Sequence, residues 1–140
     1  MKSVIVAVDG SEPSLKGVKL AASLAVSMGA RLELVHVIPP VLLPPSSYAE
    51  AIAKVEAGGK AIARELLDKA AAVATEAGAQ SDSVMLHGSP AESIADLATA
   101  ERVWGVVIGA RGHSAVSRVL LGSVVDRLVH ICTKPVLVVR

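Results

Sequence analysis

The residues best suited to chemistry cluster late in the chain, in Gly109-Ala110-Arg111-Gly112-His113 and, nine residues after Gly112, Gly122-Ser123. Glycines let main-chain N–H groups come close to a phosphate because no Cβ intervenes. Gly122-Ser123 falls where a helix is expected to begin, and the unpaired N–H groups and dipole of a helix start favour an anion. Ser123 adds a hydroxyl, and Arg111, His113 and Arg118 add positive charge or donors. The pattern is that of a phosphate cradle. A plainer reading stands beside it: Gly109 and Gly112 make a turn, and Ser123 caps its own helix with Asp126 answering.

Those residues need elements to hold them. Val4–Val8 is short, β-branched and uninterrupted, as in a strand buried on both faces. Ser11 can cap a helix over 14–28 that Gly29 ends, with Pro13 in the first turn. Arg31–Ile38 is a second strand, stopped by Pro39-Pro40, and 39–48 is a loop. Residues 49–77 form an Ala-rich helix that Gly58-Gly59 is expected to kink or divide. Val84–Leu86 is a third strand, and Ser89-Pro90-Ala91-Glu92 opens a helix with a capping-box spacing. Val106–Ile108, a helix from Ser123 through Ile131 with a second capping box, and a strand over Pro135–Val139 complete the order. This strict alternation predicts an α/β domain over 1–140: one doubly wound, five-stranded parallel sheet with helices on both faces. Ligands in such folds bind beyond the carboxyl ends of the strands, which points to the loops after Val8, Ile38, Leu86 and Ile108.

Composition narrows the partners. A chain of 140 residues that is 52% hydrophobic and 19% charged folds as an ordinary domain. Net charge is +1, no dense Lys/Arg run occurs, and only Trp104 and Tyr48 are aromatic, so nucleic acid is not an expected partner. No apolar stretch has the length of a membrane span, the apolar run before Asp9 is too short for a signal peptide, and Cys132 is alone. The expected location is the cytoplasm. There is no Gly-x-x-x-x-Gly-Lys-Ser/Thr, no Gly-x-Gly-x-x-Gly after the first strand and no Gly-x-Ser-x-Gly. His36, His87, His113 and His130 have no metal-ligand spacing, and His36 reads as a satisfied core histidine.

The glycine loop resembles the nucleotide-binding signature of the universal stress protein family. Four further segments are similar to that family in order: Val4–Ser11 to its first strand and acidic turn, Leu34–Val37 to its second strand, Gly88-x-Pro90 with Ile94 and Ala98 to its third helix, and Pro135–Val139 to its closing strand. Two positions depart from the family pattern: Trp104 stands where an Asp is common, and Lys134 precedes Pro135 where a Cys is frequent. The resemblance implies a Rossmann-like fold similar to the adenine nucleotide alpha hydrolases. It also implies binding of ATP, with or without Mg²⁺. Asp9 would lie against the nucleoside, and the Val37 main chain would read the adenine edge. Gly109 and Gly112 would approach ribose and phosphates, and Gly122, Ser123 and Val124 would hold the distal phosphates. No carboxylate lies between Gly109 and Asp126, so any ATP hydrolysis is expected to be slow, and a regulatory stress-response module is the leading function. The alternatives are a slow ATPase or nucleotidyl-transfer enzyme, and a family member that works by protein contacts alone. The last strand is expected at a sheet edge, where it would pair with a second copy to form a homodimer.

Overall fold

Val4, Ile5 and Val6 are fully buried although successive strand residues point to opposite faces, so the first strand must be covered on both sides. The computed structural model describes residues 1–46, 48–111 and 121–140. Among these the order is β1 (Ser3–Ala7), α1 (Glu12–Met28), β2 (Arg31–Ile38), α2 (Ala49–Glu76), β3 (Ser81–His87), α3 (Pro90–Ala98), β4 (Val103–Gly109), α4 (Ser123–Ile131) and β5 (Val136–Val139). The strands form one parallel sheet in the order β3-β2-β1-β4-β5. Val4, Val6, Leu32, Leu34 and Val107 pack under Val18, Ala21 and Ala25 of α1 and Leu67 and Ala70 of α2. Ile5, Val35, Val106 and Ile108 pack on the other face against Ile94 and Ala98 of α3 and Val125 and Leu128 of α4. This is the doubly wound α/β architecture that the sequence predicts.

Several local expectations change. β3 is longer than Val84–Leu86: Ser81-Asp82-Ser83 belong to it, because an edge strand tolerates polar residues and Arg31 grips Asp82 through two hydrogen bonds of 2.8 and 2.9 Å. β4 begins at Val103, not Val106, and Ser3 pairs with Val103 while Val4 pairs with Gly105. Trp104 is thus the extra residue of a bulge, which leaves it partly exposed and returns Val106 and Ile108 to the core. Gly58-Gly59 does not interrupt α2. A Cβ at Gly59 would lie 3.4 Å from the Ile38 side chain, so the helix crosses the end of β2 at this glycine. Neither capping box closes. Ser89 makes no side-chain cap bond, and Glu92 pairs instead with Arg127 of α4 at 2.9 Å. The cap of α4 is Gly122, and Ser123 is already helical. Ser11 caps α1 as expected, accepting from Ser14 N–H at 3.3 Å.

The amino edge of the sheet carries the strongest charge pair. Glu33 of β2 is buried, and Arg102, just before β4, reaches across β1 to it with Nε–Oε1 2.7 Å and Nη2–Oε2 3.1 Å. Burial pushes the Glu33 acid up, but the hydrogen bond and charge of Arg102 outweigh it, so Glu33 titrates below the usual glutamate range. A carboxylate with a lowered folded-state value adds stability above the usual range and loses it as pH falls through the lowered value. Arg102→Ala strands a buried carboxylate and is expected to destabilise the fold by about 2 kcal/mol at pH 7. That is less than the roughly 3–5 kcal/mol of a fully buried pair, because the Arg102 side chain is half exposed. Without Arg102 the main influence that lowers Glu33 is gone while burial still favours its protonated form, so the gap to the wild type should narrow as pH falls toward about 5. Urea unfolding at the two pH values checks both the size and the sign.

Candidate functional site

The chain runs outward from β1 through β2 to β3, then crosses back to place β4 on the other side of β1, so the loops leaving β1 and β4 diverge and open a crevice between them. The wall on the β1 side is built by short polar bonds. Gly10 takes φ 83°, a left-handed conformation that glycine supplies without strain. Asp9 accepts the Ser11 N–H on Oδ1 at 2.8 Å, and its own N–H donates to Ser14 Oγ at 3.1 Å. Ser14 Oγ in turn donates to the Ala7 carbonyl at 3.1 Å. Asp9 therefore shapes the turn into α1 while it sits, half-buried, at the crevice.

The wall on the β4 side is built by main chain. Ala110 N–H donates to the Val139 carbonyl at 2.7 Å, and Gly122 N–H donates to the Ala110 carbonyl at 2.8 Å. The second bond returns the chain to the end of β4 and sets the start of α4 beside the crevice. The N-cap of this helix is Gly122, which has no side chain to cap it. Its first N–H groups, at Ser123 and Val124, face the carboxyl edge with the positive end of the dipole. Arg111 is half-buried where the chain leaves β4. Gly112 and His113 lie outside the described residues.

Val37 supplies the third side. The Val35 carbonyl accepts from Val8 N–H at 2.8 Å, and the Ile38 carbonyl accepts from Gly88 N–H at 3.0 Å. In a parallel strand alternate residues turn their main-chain groups to alternate neighbours, so Val35 and Val37 face β1 while His36 and Ile38 face β3. β1 ends at Ala7, paired with Val35. The N–H and C=O of Val37 thus point past its end into the crevice, while the Val37 side chain is buried in the core with α3 and α4.

The model of the universal stress protein family matches residues 1–140. The chain belongs to the universal stress protein family. A family member from Thermus aquaticus, encoded in the QAH/OAS sulfhydrylase 3' region, is 34% identical over 139 residues, covering 99% of this chain and 98% of its own. The universal stress protein UspA of Lactobacillus plantarum superposes with a TM-score of 0.87 at 22% identity, over 99% of this chain and 97% of its own. A universal stress protein solved in complex with cAMP matches with a TM-score of 0.76 at 29% identity, again over 99% and 97%.

Within this family fold, Asp9, Val37, Arg111, Gly122, Ser123 and Val124 come to one edge. Gly109 differs from them. It is buried, and a Cβ there would meet the Pro13 carbonyl carbon at 2.8 Å and Ser14 N at 2.9 Å. The glycine lets the start of α1 press on the end of β4, a packing demand that applies with or without a ligand. Sequence reasoning missed Ser14 as the anchor of Asp9; its serine three residues after Ser11 was the available signal. Gly109→Ala should destabilise the fold by about 1–3 kcal/mol, since the atoms it strikes are main chain and cannot swing away. Thermal unfolding of the ligand-free protein measures this, and an unchanged midpoint would contradict the packing role.

Proposed function

We propose that this universal stress protein binds ATP in the crevice between β1 and β4 and acts in the cytoplasm as a nucleotide-dependent stress-response module. The observation that carries the reading is the main chain of Val37, whose donor and acceptor point past the end of β1. An adenine edge, with one acceptor nitrogen beside an amine donor, fits that pair. Asp9, on the opposite wall, suits a ribose hydroxyl. The phosphates would run along the loop through Gly109, Arg111, Gly112 and His113 toward Gly122, Ser123 and Val124. Gly122 has φ −64° and ψ 159°, which any residue adopts, so close approach of a ligand is the better reason for a glycine there. The cAMP complex of the 29%-identical relative supports an adenine nucleotide in general; the triphosphate is our own extension.

Among the described residues no group of three or more His, Cys, Asp or Glu could hold a metal. A Mg²⁺ would therefore arrive with the phosphates, with Asp9 as the carboxylate at this edge. That favours a binding role over fast phosphoryl transfer. In titration calorimetry, Asp9→Ala should weaken ATP by about 1–3 kcal/mol, the usual loss for a hydrogen bond to a charged group. Gly122→Val should abolish binding with the circular dichroism spectrum unchanged. Unaltered affinity in both variants would refute the site.

The same reading includes a homodimer through β5. The Val106 N–H takes the Pro135 carbonyl and the Ala110 N–H takes that of Val139, so odd-numbered residues of β5 face β4. Val136 and Val138 turn their main-chain groups outward from the sheet edge, and Leu137 is partly exposed. Antiparallel pairing with a second copy would satisfy that edge. Val138→Pro removes an outward N–H and no bond to β4, so it should sediment as a folded monomer where the wild type is a dimer. A wild type that sediments as a monomer at high concentration ends this part of the proposal.

A further inference from the structure

We propose that His36 is a positioning residue: its ring takes the hydrogen bond that the Val37 N–H would otherwise make, and so keeps the adenine-reading edge open. The inference rests on the adenine reading above and starts from one contact. His36 Nδ1 lies 2.6 Å from the Val8 carbonyl oxygen, and since a carbonyl only accepts, the ring donates through Nδ1–H. Val8 is the last residue bonded to β2, through its N–H to the Val35 carbonyl. Its carbonyl points the same way as its N–H. In an unbroken parallel ladder the next bond would run from Val37 N–H to Val8 C=O. That bond is not made.

The physical problem is clear from the chain's path. After Val8 the strand must leave the sheet, because Asp9 and Gly10 turn it into α1. The departure leaves the Val8 carbonyl without the Val37 N–H as partner, in a residue that is nearly buried. A buried carbonyl seeks a donor. Two outcomes are open to the sequence: β1 closes up by one residue and takes the Val37 N–H, or a side chain reaches over. His36 is two residues beyond Leu34 and so shares its face of β2, the one covered by α1 and α2. From there its ring reaches the Val8 carbonyl. The carbonyl is satisfied and Val37 keeps both of its main-chain groups for a ligand.

The role predicts base selectivity. Adenine offers an acceptor at N1 and a donor at N6, matching the Val37 N–H and C=O; inosine reverses both. His36→Ala lets Val37 N–H close onto the Val8 carbonyl. His36→Asn keeps a donor near the Nδ1 position. Amide hydrogen exchange of Val37 in the nucleotide-free protein tests the switch without any ligand: exchange should slow by about tenfold in His36→Ala and remain at the wild-type rate in His36→Asn. ATP affinity should fall about tenfold in His36→Ala with ITP affinity unchanged, so that the ATP/ITP ratio drops; His36→Asn should restore the ratio. Unchanged Val37 exchange in a folded His36→Ala variant overturns the positioning role whatever ATP does. The predicted exchange pattern in a wild-type protein that binds neither nucleotide supports the switch and refutes the adenine reading instead. A ratio that drops equally in His36→Asn also overturns the role, since it would show that the ring and not its donor matters.

Discussion

β1 lies between β2 and β4 and ends at Ala7, opposite Val35 and two residues short of Val37, and the carboxyl edge takes its form from that early exit. A central strand that ends before its neighbours leaves main-chain groups of those neighbours without a ladder partner. In a buried setting such groups are costly unless something answers them. Here the answers are local and specific: His36 for the Val8 carbonyl, Ser14 for the Ala7 carbonyl and Asp9 N–H, and Asp9 for the Ser11 N–H. Val37, one residue beyond His36 on β2, has its donor and acceptor turned toward the space the strand gives up. The turn chemistry after β1 is thus also what leaves the Val37 main chain facing the crevice on β2.

The opposite edge of the sheet is organised differently. There the links are charged and span several strands: Arg102 to Glu33 across β1, Arg31 to Asp82 between β2 and β3, and Lys134 Nζ to the carbonyls of Ala100 and Val103 at 3.1 and 2.6 Å. Lys134 ties the approach to β5 to the turn before β4. Charge that fixes the sheet is gathered at the amino edge, where no ligand is expected in this fold. The carboxyl edge is assembled from serines, an aspartate, a histidine and main chain. Substitutions can therefore lower stability at one end while leaving the recognition geometry at the other intact.

Much of this architecture was legible in the sequence because aliphatic runs and their punctuation report burial directly. Val4–Val8, Arg31–Ile38 and the helix bounded by Ser11 and Gly29 follow from pattern alone. What escaped was set by tertiary contacts that pattern does not carry. Ser81-Asp82-Ser83 reads as loop, and it is strand because Arg31 waits on the neighbouring strand. Gly58-Gly59 reads as a break, and it is a crossing point over Ile38. Both capping boxes had the right spacing, but Glu92 found Arg127 and Ser123 moved one place into its helix. At the carboxyl edge, the places of Asp9, Gly122 and Ser123 could be read from residue type and position, whereas Val37 was expected there only through resemblance, since main-chain groups leave no side-chain trace in a sequence.

The glycines of the late loop show how one signature can answer two demands. Gly109 is required by the protein itself: Pro13 and Ser14 occupy the space a Cβ would need, and this contact seats the start of α1 across the exits of β1 and β4. Gly122 has ordinary dihedrals, and its N–H is used by the Ala110 carbonyl, so neither conformation nor that bond calls for a glycine. The two glycines are nonetheless coupled. Gly109 fixes how closely α1 approaches β4, and with it the place of Asp9 on one wall. Gly122, bonded to the residue after Gly109, fixes the start of α4 on the other. The width of the crevice is then set by the protein's own packing at Gly109, and what it can admit is set by the bare backbone at Gly122. A motif reader sees a single loop; the physics divides it into a packing contact at Gly109 and a bare stretch of backbone at Gly122.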